Sequence, residues 1–268
     1  MRGDRLRGER WLIAVAGGVL ALFLAVPLVA LVVTTTRADL VSGLRDPLVW
    51  PALRLSLLTT TLSLLATVAL GTPLAWTLAR ARGRAARTIE VALQLPVVIP
   101  PAVAGVALLL AFGRRGLLAG WLYPESWAAP FTTAAVVMAE LFVAAPFYVQ
   151  AATSAFRRLD ENLLTVARTF GASPARVLAR VALPLSARSL VAGGAMGWAR
   201  ALGEFGATLM FAGNLQGRTQ TLPLAIYTAL EGDMRVARAL SVVLVVLALA
   251  LLLFVRAVVG RSAAGGTS

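Results

Sequence analysis

The sequence contains no cysteine, no histidine and no lysine, so all 25 of its basic residues are arginines. Without cysteine and histidine, thiolate chemistry, Cys/His metal sites and a histidine general base are excluded. Without lysine, the chain has no Schiff-base nucleophile and no ordinary Walker A loop, whose lysine contacts the nucleotide phosphates. We therefore expect the chain itself to bind no metal and no cofactor, and any ATP that drives it to be hydrolysed by another subunit.

Charged residues are also scarce, at 14% of the 268 residues, whereas hydrophobic residues make up 59% and the mean hydropathy is +0.83. A soluble domain is about half apolar, so this excess indicates a protein that crosses the membrane several times. The net charge of +13 could indicate a nucleic-acid partner. In a membrane protein, however, arginines set the orientation, so we expect a lipid bilayer as the surroundings and no nucleic acid.

Six apolar runs are long enough to cross a bilayer, since a spanning helix needs about 20 apolar residues. They lie at about 11–33, 53–78, 89–112, 131–151, 190–212 and 239–259. The runs predict an all-α, polytopic membrane protein with six transmembrane helices. The first run follows an arginine-rich start but is too long for a signal-peptide core and lacks a clear cleavage site, so we expect an uncleaved first helix.

The arginines are distributed unevenly among the segments that separate these runs. With the N-terminus inside, the cytoplasmic segments, which include 80–87 and 152–188, hold more arginines than the outer segments. Because cytoplasmic loops carry the excess of positive charge, this bias predicts that both termini are cytoplasmic. It also predicts that residues 152–188 face the cytoplasm.

This long internal segment has the local signals of a helix–turn–helix. Asp160 and Glu161 precede the first helix, where negative charge is favourable, and Gly171 ends it. Ser173 and Pro174 then supply an N-cap and a proline at the first helical position.

The second helix of this loop is amphipathic, and we expect Pro184 to stop or kink the chain after it. Its apolar side is formed by Val177, Leu178, Val181 and Ala182. Such a face fits a groove on a partner protein. The alternative is an amphipathic hairpin that lies on the bilayer surface.

Three prolines, Pro96, Pro100 and Pro101, interrupt the third apolar run. Each proline removes a helical hydrogen bond. Lipid cannot satisfy the carbonyls that are freed, so such breaks usually face protein or a water-filled cavity. The pattern predicts a gate or a segment that lines a path; the alternative is a kink that only shapes packing.

Charged side chains inside the predicted spans are candidates for the same path. Arg200 and Glu204 lie four residues apart, so they share a helix face and are expected to face the interior, as bordering residues of the path or as a structural pair. Glu140 stands alone in the fourth span, and we expect it to be protonated or paired with Arg200 or Arg54. Neutral hydrogen-bonding side chains are expected at the outer mouth, namely Asn214, Thr219, Gln220 and Thr221.

Three stretches resemble one known family. The spacing Ala167-x3-Gly171-x9-Val181-x-Leu183-Pro184 is similar to the EAA loop of ABC importer permeases, although Thr165-Val166 stands where the family usually has Glu-Ala. Two further stretches narrow the resemblance to one group of these permeases. They are the proline-rich stretch 95–120 and the stretch 199–223, which includes Arg-Ala-Leu-Gly-Glu-Phe-Gly-Ala-Thr and Thr-Gln-Thr-Leu-Pro. Together they resemble the permease subunit of a molybdate ABC importer, within the molybdate/sulfate permease family of type I importers.

The resemblance implies a type I transmembrane domain at 51–258, with an ATPase-coupling loop at about 160–185. The N-terminal segment, first helix and outer loop occupy 1–50, and a cytoplasmic tail occupies 259–268. It implies a non-enzymatic subunit of the bacterial cytoplasmic membrane that forms a homodimer. Its further partners would be two cytoplasmic ABC ATPases, which use ATP and Mg²⁺, and an extracytoplasmic substrate-binding protein.

Two sets of candidate site residues follow. The ATPase-coupling set is Ala167, Gly171, Ser173, Pro174, Val181, Leu183 and Pro184. The set for the translocation path or gate is Pro96, Pro100, Pro101, Arg200, Glu204 and Thr208.

Three other functions remain open at this point. A sulfate/thiosulfate importer would use the same architecture with a different cargo. A self-contained secondary transporter or channel would leave the coupling loop without a role. A membrane enzyme would have only carboxylates, hydroxyls and arginines for catalysis, and the few acids form no evident pair.

Overall fold

The structure is a computed structural model that describes residues 2–119 and 129–260. Within these residues all regular secondary structure is helical, as predicted. The helices are α1 (Arg2–Thr34), α2 (Arg37–Leu44), α3 (Val49–Arg80), α4 (Arg84–Val98), α5 (Pro101–Phe112), α6 (Thr133–Arg157), α7 (Glu161–Thr169), α8 (Pro174–Val177), α9 (Leu183–Leu202), α10 (Gly206–Ala212), α11 (Leu222–Gly232) and α12 (Met234–Gly260). Most of the predicted tail, residues 261–268, lies outside the described residues.

In the described part of the chain, five helical segments are long and apolar enough to cross a membrane. They are Ala14–Thr34, Val49–Arg80, Thr133–Arg157, Pro174–Leu202 and Met234–Ala257. Helices α4 and α5 together form a sixth if a bent pair is counted as one span. The chain is therefore a multi-pass membrane protein. The predicted number of six spans is found when the bent pair of α4 and α5 is counted as one span.

The third predicted span, 89–112, is not one straight helix. Helix α4 ends at Val98, α5 begins at Pro101, and the two axes differ by 115°. Between them Ile99 and Pro100 are extended, with ψ values of 143° and 137°. The reason is the proline pair, because a proline forces the preceding residue out of the helical region and supplies no amide hydrogen. Pro96, by contrast, lies inside α4.

The fifth predicted span, 190–212, has different ends in the structure. The helix already begins at Pro174 in the loop and ends at Leu202. Pro184 does not stop it, because residues Leu178–Ala182 form a π turn in which the Leu183 amide bonds to the Leu178 carbonyl. This wider turn accommodates the proline ring, which would clash with the carbonyl four residues earlier in a regular α-helix.

Helix α6 lies at the centre of the bundle and packs most extensively against α3 and α9, which also contact each other. Small residues let these helices approach closely. A methyl group at Gly193 would lie 2.6 Å from Ala151 Cβ, and one at Gly71 would lie 3.1 Å from the Tyr148 ring. The spacing of the three helices is therefore set where glycine meets an alanine or an aromatic side chain.

Helix α1 packs loosely on the rest of the chain. No residue in the most apolar part of Ala14–Thr34 is buried. Its C-terminal end is tied to α12, where Arg238 Nη1 donates a 2.8 Å hydrogen bond to the Thr34 carbonyl and Nη2 lies 3.5 Å from Asp39 Oδ2. Thr36 and Asp39 form a capping box at the start of α2. Hydrogen bonding by Thr36, from its backbone N–H above all, holds the pKa of Asp39 below its ordinary value.

Candidate functional site

The loop between α6 and α9 is a helix–turn–helix, as its sequence signals predict. Asp160 caps α7 by accepting a 2.8 Å hydrogen bond from the Asn162 amide. Gly171 follows the end of α7 with φ +77°, a left-handed conformation that favours glycine. Ser173 accepts a hydrogen bond from the Arg176 amide, and Pro174 is the first residue of α8.

The predicted apolar face of the second loop helix is not free, however. Val177 and Ala182 are buried, and Val181 and Leu183 are partly buried against the same core cluster. That cluster includes Trp76 of α3 and Tyr148 and Phe156 of α6, with Trp76 and Phe156 in an edge-on contact at 5.4 Å. Because α8 continues into a bundle helix, its apolar side seats the loop on the protomer itself. The expectation that this face receives a partner is wrong.

A different apolar stripe is exposed on the first loop helix. Leu163 and Val166 are about half exposed, and Phe170 is 88% exposed. Spacings of three and four residues place them on one side of α7. Leu164, on another side, is buried in the core cluster and fixes the helix. Sequence reasoning missed this stripe, although the spacing of its three residues is the signal that could have found it.

The remaining coupling candidates differ in their burial. Ala167 packs against the core cluster, whereas Gly171, Ser173, Pro174 and Pro184 are exposed. The loop thus combines a buried anchor with an exposed turn. Its charge contact with the rest of the chain, Arg82 to Glu161 at 3.8 Å, joins two exposed side chains and adds little stability.

The loop end of α6 is fixed to the neighbouring helices by Arg157. Its guanidinium forms a salt bridge with Glu90 of α4 and donates to the Leu78 carbonyl of α3. These three residues lie beside a cavity of about 210 Å³ that also has polar side chains from α4 and α6 in its wall. Arg157 therefore joins three helices at the point where the loop leaves the bundle.

Arg200 and Glu204 do form a pair, but not on one helix. Helix α9 ends at Leu202, and Glu204 lies in the short break before α10 begins at Gly206. Arg200 Nη2 lies 2.7 Å from Glu204 Oε2, as an ion pair whose angles are not those of a hydrogen bond. Glu204 Oε1 accepts a 2.8 Å hydrogen bond from the Ala207 amide. The carboxylate thus links the two sides of the break.

The break after α9 touches the break after α4. A methyl group at Gly206 would lie 2.8 Å from Pro101 Cβ. One at Gly105 would lie 2.6 Å from Met210 Cβ and 2.8 Å from the Ala207 carbonyl oxygen. Glycine at both positions is required by this close approach of α5 and α10. The candidate residues Pro101 and Glu204 therefore lie at one junction, and Thr208 is buried on α10 beside it.

Pro96 lies apart from this junction, in the wall of an apolar cavity of about 430 Å³ between α3, α4, α5 and α6. Leu93, Phe112, Phe142 and Val149 contribute to the same wall. Apart from the Thr67 hydroxyl, the side chains of this wall are apolar, so the cavity offers an oxyanion little hydrogen bonding. The structure thus separates Pro96 from the other path candidates.

Glu140 is buried and does not pair with an arginine in the part of the chain that the structure describes. Thr59 Oγ1 of α3 donates a 2.8 Å hydrogen bond to its Oε1, and its Oε2 has no partner there. The expected pairing with Arg200 or Arg54 is therefore wrong. Sequence reasoning missed Thr59, which belongs to a buried polar row on α3 with Ser56, Thr60 and Ser63.

The neutral side chains expected at an outer mouth are used inside the fold. Thr219, Gln220 and Thr221 are buried. The Asn214 and Gln220 side-chain amides both donate to Thr228 Oγ1, and Thr219 Oγ1 accepts from the Leu215 amide. Asn214, Thr219 and Gln220 thus order the segment between α10 and α11, whereas the buried Thr221 Oγ1 has no hydrogen-bond partner among the described residues.

Broken spans, buried polar groups and a helical loop between two spans are features of the membrane subunit of a transport protein. Residues 68–263 match the family described as the binding-protein-dependent transport system inner membrane component. The match covers most of the chain, and the chain belongs to this family.

Particular relatives are permeases of molybdenum transport. The molybdenum transport system permease protein ModB of Mycobacterium tuberculosis is 44% identical over 241 residues, which cover 89% of this chain and 90% of the relative. The molybdate/tungstate transport system permease protein WtpB of Pyrococcus abyssi is 33% identical over 255 residues, which cover 94% and 96%.

Solved ABC transporters share the fold. A chain of a bacterial alginate ABC transporter in complex with a periplasmic protein has a TM-score of 0.73 at 16% identity, covering 96% of each chain. A chain of the inward-facing methionine transporter MetNI has a TM-score of 0.61 at 21% identity, covering 79% of this chain and 96% of that one. The fold is that of a type I ABC importer transmembrane domain, as the sequence resemblance implied.

Proposed function

We propose that this chain is the permease subunit of an ATP-driven importer that moves molybdate across the cytoplasmic membrane. The observation that carries the proposal is the 44% identity to a molybdenum permease over nearly the full length of both chains. Tungstate has almost the same size and charge as molybdate, and we expect it to be carried as well. Sulfate is the alternative cargo, because its permease would have the same architecture.

The loop at 160–185 is the contact with a separate ATPase. An apolar stripe on a helix is a common anchor for a groove on a partner, and Leu163, Val166 and Phe170 form such a stripe. The second loop helix transmits force, because it is continuous with the span Pro174–Leu202. A push on the loop is thus carried along this helix, through the π turn at Leu178–Ala182, to Arg200. ATP and Mg²⁺ are bound by the partner, and the permease performs no catalysis itself.

The translocation path runs between two copies of the chain, and both termini lie in the cytoplasm. An extracytoplasmic binding protein delivers the oxyanion, two ATPases close when they bind ATP, and hydrolysis resets the assembly. The arginine bias supports this orientation, because it puts the loop on the side where ATP is available. Arg200, at the end of the force-transmitting helix, is the cation that we assign to the path.

The experiment is reconstitution of the chain with its ATPase and binding protein in proteoliposomes. Uptake of radiolabelled molybdate that requires ATP and resists excess sulfate is the expected result. Accumulation of sulfate instead would support the same importer architecture with sulfate as its cargo. Uptake without any ATPase subunit would overturn the importer and favour a self-contained secondary transporter.

A further inference from the structure

The two interrupted spans are locked together at their breaks. Gly206, the first residue of α10, faces Pro101, the first residue of α5, at a distance that leaves no room for a side chain. One turn further on, Gly105 has the same relation to Ala207 and Met210. Backbones that approach this closely cannot slide past each other without separating, so α5 and α10 form one packed unit.

Glu204 connects this unit to the end of α9. Its side chain is only 1% exposed. One carboxylate oxygen accepts from the Ala207 amide of α10, and the other lies 2.7 Å from the Arg200 guanidinium of α9. A buried carboxylate is stable only when it is paired and hydrogen-bonded, and these two contacts supply both. Arg200 therefore cannot turn away without leaving a buried charge unpaired.

Arg200, in contrast, is only partly enclosed. Its side chain is 29% exposed, so part of it remains accessible beside the contact with Glu204. A free guanidinium binds an oxyanion through paired, charge-assisted hydrogen bonds. A guanidinium paired with a carboxylate presents less net positive charge to an anion. It attracts a dianion but holds it weakly, as conduction requires.

We propose that Glu204 is a positioning residue that orients Arg200 and limits how tightly the path holds its oxyanion. The inference rests on the proposed function in one respect, namely that Arg200 meets a transported oxyanion. It adds that the transport rate depends on a carboxylate which itself never touches the cargo. Weak retention is thus built into the break between α9 and α10.

The test compares the wild-type permease–ATPase complex with Glu204→Gln and with the double variant Arg200→Gln/Glu204→Gln. Glutamine keeps an oxygen for the Ala207 amide but removes the charge opposite Arg200. Binding of radiolabelled molybdate, tungstate and sulfate is measured by equilibrium dialysis in the absence of the binding protein. Uptake and ATP hydrolysis are measured in proteoliposomes with the binding protein. Asp233→Asn, which removes the carboxylate of the exposed Asp233–Arg235 pair, is the matched control.

We expect Glu204→Gln to bind at least one dianion about tenfold more tightly, since the positive charge of Arg200 is then no longer offset by a carboxylate. Its maximal uptake rate should fall while ATP hydrolysis continues, and the double variant should lose the extra affinity. Asp233→Asn should match the wild type in both measurements.

Two results would overturn the inference. One is unchanged affinity and uptake in Glu204→Gln. The other is loss of assembled complex in both Glu204 variants without any gain in affinity, which is the outcome of a purely structural role. A wild type that imports none of the three dianions would refute the proposed function instead, and the dialysis of the three anions would still decide the role of Glu204.

Discussion

Thr59 of α3 donates a 2.8 Å hydrogen bond to the buried carboxyl group of Glu140 on α6, although the two residues are 81 positions apart. Thr59 Oγ1 also lies 3.0 Å from the Leu55 carbonyl of its own helix. In an apolar environment an unpaired charge is very costly, so a carboxyl group without a cation acts best as a hydrogen-bonding group. The contact joins the two most extensively packed helices of the bundle.

The first prediction follows from this contact. Glu140→Gln should keep nearly full uptake and thermal stability, because the amide oxygen can accept the same hydrogen bond. Glu140→Ala removes the acceptor and leaves a cavity, and we expect a loss of about 1–3 kcal/mol. Thermal unfolding of the purified complex measures both variants. Severe loss of uptake in Glu140→Gln, with stability intact, would show that the charge itself has a function.

The second prediction concerns the turn of the coupling loop. Gly171 has φ +77°, and no atom lies within 4 Å of the position that a Cβ would occupy, so substitution there acts through the backbone alone. Gly171→Val should strain the turn by about 1–2 kcal/mol, whereas Gly171→Asn should be tolerated because asparagine adopts this conformation more readily. We expect the valine variant to insert normally but to hydrolyse ATP without matching uptake. Normal coupled uptake in Gly171→Val would count against a docking role for this turn.

The third prediction tests the exposed stripe on α7. Phe170→Ser should weaken association with the ATPase by about tenfold or more, as expected for an aromatic anchor of an interface. Leu117→Ser changes an equally exposed apolar residue outside the loop and is the matched control. Titration of the ATPase onto permease in nanodiscs gives both affinities. Equal affinities in the two variants would remove Phe170 from the interface.

The local features of the fold can be predicted from single residues. Ser173 and Pro174 start a helix, Gly171 ends one, and the prolines at 100 and 101 break the third span, because each of these effects depends on the backbone of the residue itself. The all-α architecture follows equally from the apolar runs. These are the parts of a membrane protein in which sequence and structure are linked within a few residues.

The features that sequence reasoning misses depend on contacts far along the chain. Pro184 is predicted to stop or kink a helix, yet a π turn absorbs it within a continuous helix whose preceding residues Val177 and Ala182 are buried in the core. Glu204 is predicted on a continuous helix, whereas it lies in a break between α9 and α10, where Gly206 packs against Pro101. Val177 is predicted to face a partner but fills the protomer's own core. None of these outcomes is encoded in the periodicity of one segment.

The fourth prediction uses the junction of the two broken spans. Gly105→Ala would bring a methyl group within 2.8 Å of the Ala207 carbonyl oxygen, and Gly206→Ala would bring one equally close to Pro101 Cβ. Neither backbone can move without separating α5 from α10, so we expect each variant to be destabilised by about 1–3 kcal/mol. Gly203→Ala is the matched control, because the nearest atom to its methyl group is 3.7 Å away.

Thermal unfolding of the detergent-purified complex, followed together with ATP-dependent uptake, decides the question. If α5 and α10 act as one packed unit, Gly105→Ala and Gly206→Ala should have similar losses, while Gly203→Ala resembles the wild type. The double variant Gly105→Ala/Gly206→Ala should then lose less than the sum of the single losses, because one separation of the two helices relieves both clashes. Additive losses would mean that the two contacts yield independently and that the helices are not a single unit.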